Sequence, residues 1–202
     1  NGGGNRLFND DPSPEKIAAI RAAHRQFGTT GFLPTLFSED ATKIEAAIDA
    51  ARSAIAAGVP GVLGVHIEGP FLNVEKRGIH DASKLRPISD GEISLLSKST
   101  GGKTVVTLAP ETVPAEAIRR LADAGVIVCA GHSNATAARI EEALENGVRG
   151  FTHLFNAMSQ LTAREPGVVG AALNDAASWC GIIVDGHHVD AMVLKSALRA
   201  AP

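Results

Sequence analysis

A disulfide framework, a strong charge of one sign and a membrane-length apolar run are all missing from this sequence. Its only two cysteines, Cys129 and Cys180, are too few to staple a small scaffold. Both fall in strand-like apolar runs, where a reduced, buried thiol is expected, and a cytoplasmic protein is the default. Lys and Arg number 19 against 22 Asp and Glu, a formal net charge of -3, so no basic field invites nucleic acid. Apolar stretches such as 61–65 are far too short to span a bilayer, and no window reads as a signal peptide. What is present is apolar content, 45% of 202 residues. That suffices for one sizeable core and not for two ordinary domains.

One phrase recurs along the chain. Residues 14–27 set Ile17, Ile20 and Phe27 at helical spacing, with Ser13 suited to the N-cap, Pro14 to the first turn and Gly28 to the position after the helix. A β-branched, apolar run from Thr29 to Leu36 follows. A helix over 41–57 then ends at Gly58, and Val59 leads into a strand over 61–67. The phrase returns as helix 114–124, Gly125 and strand 126–130, and again as helix 136–146, Gly147 and strand 148–152. Strands over 103–108 and 181–184 complete a set of six, with five patterned helices among them and a helix-like stretch over 190–201. Alternation of this kind builds a parallel sheet. It predicts an α/β fold, a (β/α)8 TIM-type barrel of the usual ~250 residues, incomplete here. The expectation is one domain over 1–202 with about six strands present and the first and last missing, Asn1-Gly-Gly-Gly being the loop after the first. An open doubly wound sheet shares the repeat and is the rival architecture.

A barrel of this type builds its active site at the C-terminal ends of the strands. Four strands here finish on a carboxylate or an imidazole: His66-Ile67-Glu68, Gly131-His132, His153, and Asp185-Gly186-His187-His188. Glu68, His132 and His153 make a three-ligand N/O set, the number that leaves a catalytic metal one position for water. Zinc suits that set first, and Fe2+, Co2+ or Mn2+ could also occupy it. His66 lies two residues before Glu68, on the same strand face, and reads as a support for the ligands rather than as a fourth one. His24 falls at the spacing of Ile17 and Ile20 and reads as helix packing. The run Glu75-Lys76-Arg77 reads as solvated loop, with neighbouring backbone over the substrate.

The segments around these positions resemble the N-acetylglucosamine-6-phosphate deacetylases of the amidohydrolase superfamily. The resemblance is carried by His66-Ile-Glu-Gly-Pro-Phe-Leu-Asn, Ala130-Gly-His-Ser-Asn-Ala-Thr, Thr152-His-Leu-Phe-Asn-Ala-Met, Arg164-Glu-Pro-Gly and Asp185-Gly-His-His-Val-Asp. It implies one divalent metal on Glu68, His132 and His153, activating water against an acetamide carbonyl. It also implies that Ile79 and His80 contact the substrate, His80 as the catalytic group near the carbonyl. Asn156, Ala157 and His188 match substrate-binding positions, and Arg164 matches an arginine that binds the sugar phosphate. In such enzymes that arginine can come from a neighbouring subunit, so a homodimer is implied. The substrate would be a phosphorylated N-acetyl amino sugar, met in amino-sugar catabolism.

Two departures qualify the match. Asn1 stands where many amidohydrolases carry the second histidine of an His-x-His pair, which favours a one-metal site. The general-base Asp of the family has no counterpart between Asp190 and Pro202 and is expected beyond residue 202. Two rival functions share these features: another amidohydrolase (dihydroorotase-like or aminoacylase-like), and a non-catalytic sugar-phosphate binding module. The 202 residues alone are expected to keep much of the metal site but to turn over roughly 10²–10⁴-fold more slowly than a longer polypeptide that carries the Asp. Deacetylation rates of the two polypeptides check this, and equal rates would refute it.

Overall fold

Helix ends set the grammar of the fold. At Gly58 and Gly125 the backbone turns left-handed (φ 71° and 85°), which stops each helix and feeds the next strand. The computed structural model describes residues 1–200. A short antiparallel ribbon, β1 (Gly2–Gly3) and β2 (Arg6–Leu7), leads into α1 (Pro14–Arg25). The Ser13 hydroxyl caps α1 by accepting the Lys16 N–H, and Ile17 and Ile20 are buried as their spacing requires. Phe27 is not: the helix stops at Arg25, so Phe27 leaves the apolar stripe and is 86% exposed.

Next come β3 (Thr35–Phe37), α2 (Ala41–Ala56), β4 (Gly64–Glu68), α3 (Asp90–Leu96), β5 (Lys103–Leu108) and α4 (Ala115–Asp123). They are followed by β6 (Ile127–Ala130), α5 (Ala137–Glu145), β7 (Val148–Phe151), α6 (Gly167–Asn174), β8 (Trp179–Cys180) and α7 (Ala191–Ala200). The expected last helix residue, Ala201, lies outside the described residues. Strands β3 to β8 pair in chain order as one six-stranded parallel sheet. No strand order reverses, so the switch point of a doubly wound sheet is absent from the described residues.

Two strands are shorter or shifted from their sequence patterns. The run 29–36 pairs only from Thr35 onward, apart from one bridge between Phe32 and Val62, because Pro34 has no N–H to give a ladder. The sixth strand, expected over 181–184, is β8 at Trp179–Cys180. Its partner β7 ends at Phe151, and beyond it Gly181 keeps only two hydrogen bonds, N–H to Phe151 O and carbonyl from Leu154 N–H. Helices α3 and α6 are not among those given bounds from the sequence pattern. The first has a capping box, Ser89 with Glu92. The second is buried nearly all round (Gly167 to Ala172), so it has no apolar stripe for periodicity to detect.

The core lies between the sheet and its helices. Ile44, Ala47, Ile48, Ala51 and Ala54 of α2 are fully buried in one core cluster with the outward side chains of the sheet, such as Val65, Ile67, Val106 and Leu108. Alternation then sends Thr35, His66, Glu68 and Thr107 to the opposite face. Cys129 is buried and free, its thiol pushed up to about 12 by burial; Cys180 is half-buried, free and also raised by burial. No helix among the described residues is long and apolar enough to cross a membrane.

Gly64 begins β4 opposite Lys103, with φ 150° and so little room that a Cβ would overlap the Lys103 backbone. Gly64→Ala is therefore expected to cost more than about 3 kcal/mol, because backbone overlap adds to the ordinary ~1–3 kcal/mol of strain at a special backbone position. Denaturant unfolding of the two proteins measures it; a loss below 1 kcal/mol would contradict the packing described.

Candidate metal centre

Three strand ends converge on one point. Glu68 is the last residue of β4, His132 stands two residues beyond β6, and His153 two beyond β7. Both histidines have left-handed backbone, φ 50° and 42°, a conformation costly for a side chain with a Cβ. That turn folds each imidazole back over the end of the sheet. The Glu68 Oε1 lies 3.2 Å from both Nε2 atoms, and the two Nε2 atoms are 3.0 Å apart.

The other ring nitrogens decide what meets there. The His132 Nδ1 lies 2.8 Å from the Lys76 carbonyl and the His153 Nδ1 lies 3.1 Å from the Asn156 carbonyl. A carbonyl only accepts, so a proton sits on each Nδ1, and the tautomer with that single proton turns a lone pair inward from Nε2. Two lone pairs and an anion thus crowd within about one van der Waals diameter. One extra proton could bridge one edge of this triangle; a cation satisfies all three at once. Ligands ~2.1 Å from a tetrahedral ion stand about 3.4 Å apart, a little wider than the observed spacing, so small shifts of the three side chains admit an ion. The donor set, one carboxylate and two imidazoles, fits a transition metal.

Hydroxyls brace the floor of the site. His66 bonds through Nδ1 to the Thr35 hydroxyl (3.1 Å) and through Nε2 to Thr107 (2.8 Å), and makes no hydrogen bond to the three converging residues. The Thr107 hydroxyl meets that of Thr152 at 2.6 Å. They meet because Gly131 intervenes without a side chain; a Cβ there would come 2.7 Å from the Thr107 methyl. Burial pulls His66 down to about 4, so the ring is neutral at pH 7.

His80 stands beside the triad, 2% exposed, its ring edge-on to His132 with centroids 4.5 Å apart. Its Nδ1 pairs with the Ser38 hydroxyl at 2.7 Å, and burial takes it down to about 4. It offers the cavity a neutral polar group, not a charge. Glu68, His80, His132, His153, Ile79, Asn156, Ala157 and His188 all line this cavity of about 390 Å³. The His188 Nδ1 is 2.6 Å from Asp185 Oδ2, and Asp185 also accepts the N–H groups of His187 and His188, which hold its carboxyl well below the usual range. Arg164 is exposed and outside the cavity lining. His24 is also outside the cavity lining, its Nε2 2.7 Å from the Gly2 carbonyl. Larger grooves exist elsewhere, one between α2 and α3, but they gather no comparable ligand set.

Sequence reasoning passed over several supports. The solvated run Glu75-Lys76-Arg77 does expose Glu75 and Arg77, yet the Lys76 carbonyl fixes the His132 ring and Arg77 Nη1 donates to the His80 carbonyl. Nothing in residue type marks a backbone acceptor. Ser38 directly follows β3, so the strand-end rule would have found it had the strand been placed at 35–37.

Sheet and site together define an α/β protein with a candidate transition-metal centre at the carboxyl ends of its parallel strands. No family model matches the chain. It is 48% identical over 200 residues to the N-acetylgalactosamine-6-phosphate deacetylase of Shewanella sp. (strain ANA-3), covering 99% of this chain and 51% of that one. The crystal structure of N-acetylglucosamine-6-phosphate deacetylase from Pasteurella multocida superposes with a TM-score of 0.95 at 36% identity, over 100% of this chain and 53% of that chain. A variant of the Mycobacterium smegmatis enzyme, in complex with N-acetyl-D-glucosamine-6-phosphate, gives 0.91 at 30% identity, over 100% and 52%. Along essentially its whole length the chain is similar to N-acetylglucosamine- and N-acetylgalactosamine-6-phosphate deacetylases, and it spans about half the length of those it matches.

The neutral state of His66 and His80 has a pH consequence. Their ordinary value is 6.5 and the folded value about 4, so the unfolded chain binds more protons as pH falls from 6.5 toward 4. Stability of the metal-free protein is thus full above pH 6.5 and declines through that window. Urea unfolding at pH 7 and pH 5 should differ by on the order of 3–4 kcal/mol, about half from each ring. The difference should shrink in His66→Gln; a metal-free protein more stable at pH 5 would contradict the assignment.

Proposed function

We propose that these residues form the metal-holding part of an enzyme that hydrolyses the acetamide of N-acetylglucosamine 6-phosphate or its galactosamine epimer. Water is consumed, the C–N bond breaks, and the products are the amino sugar phosphate and acetate. The single observation that carries the reading is the meeting of Glu68 Oε1, His132 Nε2 and His153 Nε2 at 3.0–3.2 Å. Deacetylase relatives at 48% and 36% identity support the substrate class. The relatives also support reading the six-stranded sheet as the larger part of an eight-stranded barrel.

In this reading Glu68, His132 and His153 hold one divalent ion, zinc first. Bound there, such an ion supplies a nucleophilic water near neutral pH and draws electron density from the acyl oxygen. His80, neutral and oriented by Ser38, turns its free ring nitrogen to the cavity, where an N–H would meet the charge that develops on that oxygen. A well-placed donor of this kind contributes about 2.7–4 kcal/mol to the barrier. Ile79, Asn156 and Ala157 form the wall against the sugar, and His188 is held at the rim by Asp185. Arg164, remote from this cavity, would serve a neighbouring subunit's phosphate site in a homodimer, its fork matching phosphate oxygens. Among the described residues lining the cavity Glu68 is the only carboxylate. With Glu68 engaged as a ligand, proton transfer to the leaving amine falls to another group, the Asp that the resemblance implies. A cytoplasmic location accords with a phosphorylated substrate.

Metal analysis and a substrate panel test the proposal. The purified protein is expected to carry close to one metal ion and to release acetate from both phosphosugars, but poorly from unphosphorylated N-acetylglucosamine. Glu68→Gln should lose the ion and at least ~10³-fold in kcat/KM, the loss of a ligand to the activating ion. Retention of metal and turnover by this variant would refute the ligand assignment, and turnover confined to non-phosphorylated amides would refute the substrate class.

A further inference from the structure

We propose that Glu111, which touches neither the cavity nor the three converging residues, is the positioning residue that holds His132 in ligating orientation. The inference rests on the metal reading above. Glu111 lies in the 3₁₀ turn Pro110–Thr112 that follows β5, at a strand end that sends no ligand to the centre.

Its two carboxylate oxygens clamp both loops that meet at His132. On one side, Oε2 accepts the Ser133 hydroxyl at 2.6 Å and Oε1 accepts the Asn134 N–H at 2.6 Å, directly after the left-handed His132. On the other side, Oε1 accepts the Asn73 side-chain amide at 2.9 Å. Asn73 then acts twice. Its backbone N–H donates to the His132 carbonyl at 3.0 Å. Its side-chain oxygen caps the 3₁₀ turn Val74–Lys76 by accepting the Glu75 N–H. That same turn supplies the Lys76 carbonyl to which the His132 Nδ1 donates.

The circuit closes on itself: Glu111, Ser133 and Asn134, His132, Lys76, Asn73 and back to Glu111. One carboxylate thereby fixes two things about His132. It stabilises a backbone conformation that L residues avoid, and it sets the height of the carbonyl that orients the ring and assigns its tautomer. Charge-assisted bonds of this length are the strong kind. Partners that orient a metal-binding histidine are commonly worth 10–100-fold in metal affinity. A purely structural glutamate would lower stability without selecting the metal.

Chelator-competition titration with zinc, on the intact protein stripped of metal, separates the two roles. Glu111→Ala is expected to weaken the zinc Kd by 10–100-fold. With zinc saturating, KM should stay near that of the unaltered protein, because Glu111 is outside the cavity lining. Glu111→Gln should recover most of the affinity, since an amide oxygen can still accept from Asn73 and Asn134. Glu92→Ala is the control. It removes an equally well-bonded carboxylate, paired with Arg86 and Ser89 far from the centre, and should lower Tm with Kd unchanged. If Glu111→Ala does not fold, Asn73→Ala and Ser133→Ala each cut one arm of the clamp and should each weaken Kd severalfold. An unchanged Kd in Glu111→Ala, or in both single-arm variants, overturns the inference, as does an equal loss in Glu92→Ala. Failure of the unaltered protein to bind zinc overturns it together with the metal reading. Tight zinc binding without deacetylation overturns the proposed activity alone.

Discussion

Three electron-rich atoms pointing at one another is a configuration that a folded chain avoids unless something positive belongs between them. Here two lone pairs and a carboxylate oxygen are driven together from strand ends far apart in sequence. Each is braced from behind, by Lys76 O, by Asn156 O and by the sheet itself. Everything else about the site can be understood as the means of sustaining that repulsion. The parallel sheet supplies a common rim. Alternation along β4 directs Glu68 away from the helices, and left-handed backbone at His132 and His153 accompanies the turn of two side chains over the same end of the sheet.

Local strain of this kind persists only where the surroundings over-determine it. Positive φ recurs at Phe155 and Ala157, so the segment after β7 carries three such non-glycine residues within five positions. Its anchors are specific. The Ser133 N–H donates to the Ala157 carbonyl and the Ser159 N–H to the Ser133 carbonyl, which stitches the β6 and β7 loops together. Below them the Thr107–Thr152 contact, possible only over Gly131, ties β5 to β7.

Burial tunes the remaining imidazoles. His66 and His80 are close to the converging anion, whose charge favours their protonation, yet burial prevails and both stay neutral. A cationic His66 or His80 would compete electrostatically with an ion on the triad. Neutral rings instead leave the anionic carboxylate free to attract one, and they keep their hydrogen-bonding capacity for hydroxyls and for whatever enters the cavity.

Residue pattern alone determined the alternation of helix and strand, the glycine stops, and the identity of the three converging residues. Those properties follow from local periodicity and from a rule about strand ends, and neither requires knowledge of contacts. The limits of local reading appear at particular residues. Pro34 shortened β3, the end of β7 truncated β8, and α6 hid because a helix buried all round has no stripe. Only the tertiary structure decided that the Lys76 carbonyl, in a run of charges that looked merely solvated, sets the tautomer of His132, and that Glu111 spans two loops. Backbone acceptors and bridging carboxylates acquire their roles from distances between segments dozens of residues apart, and no residue type announces those distances in advance.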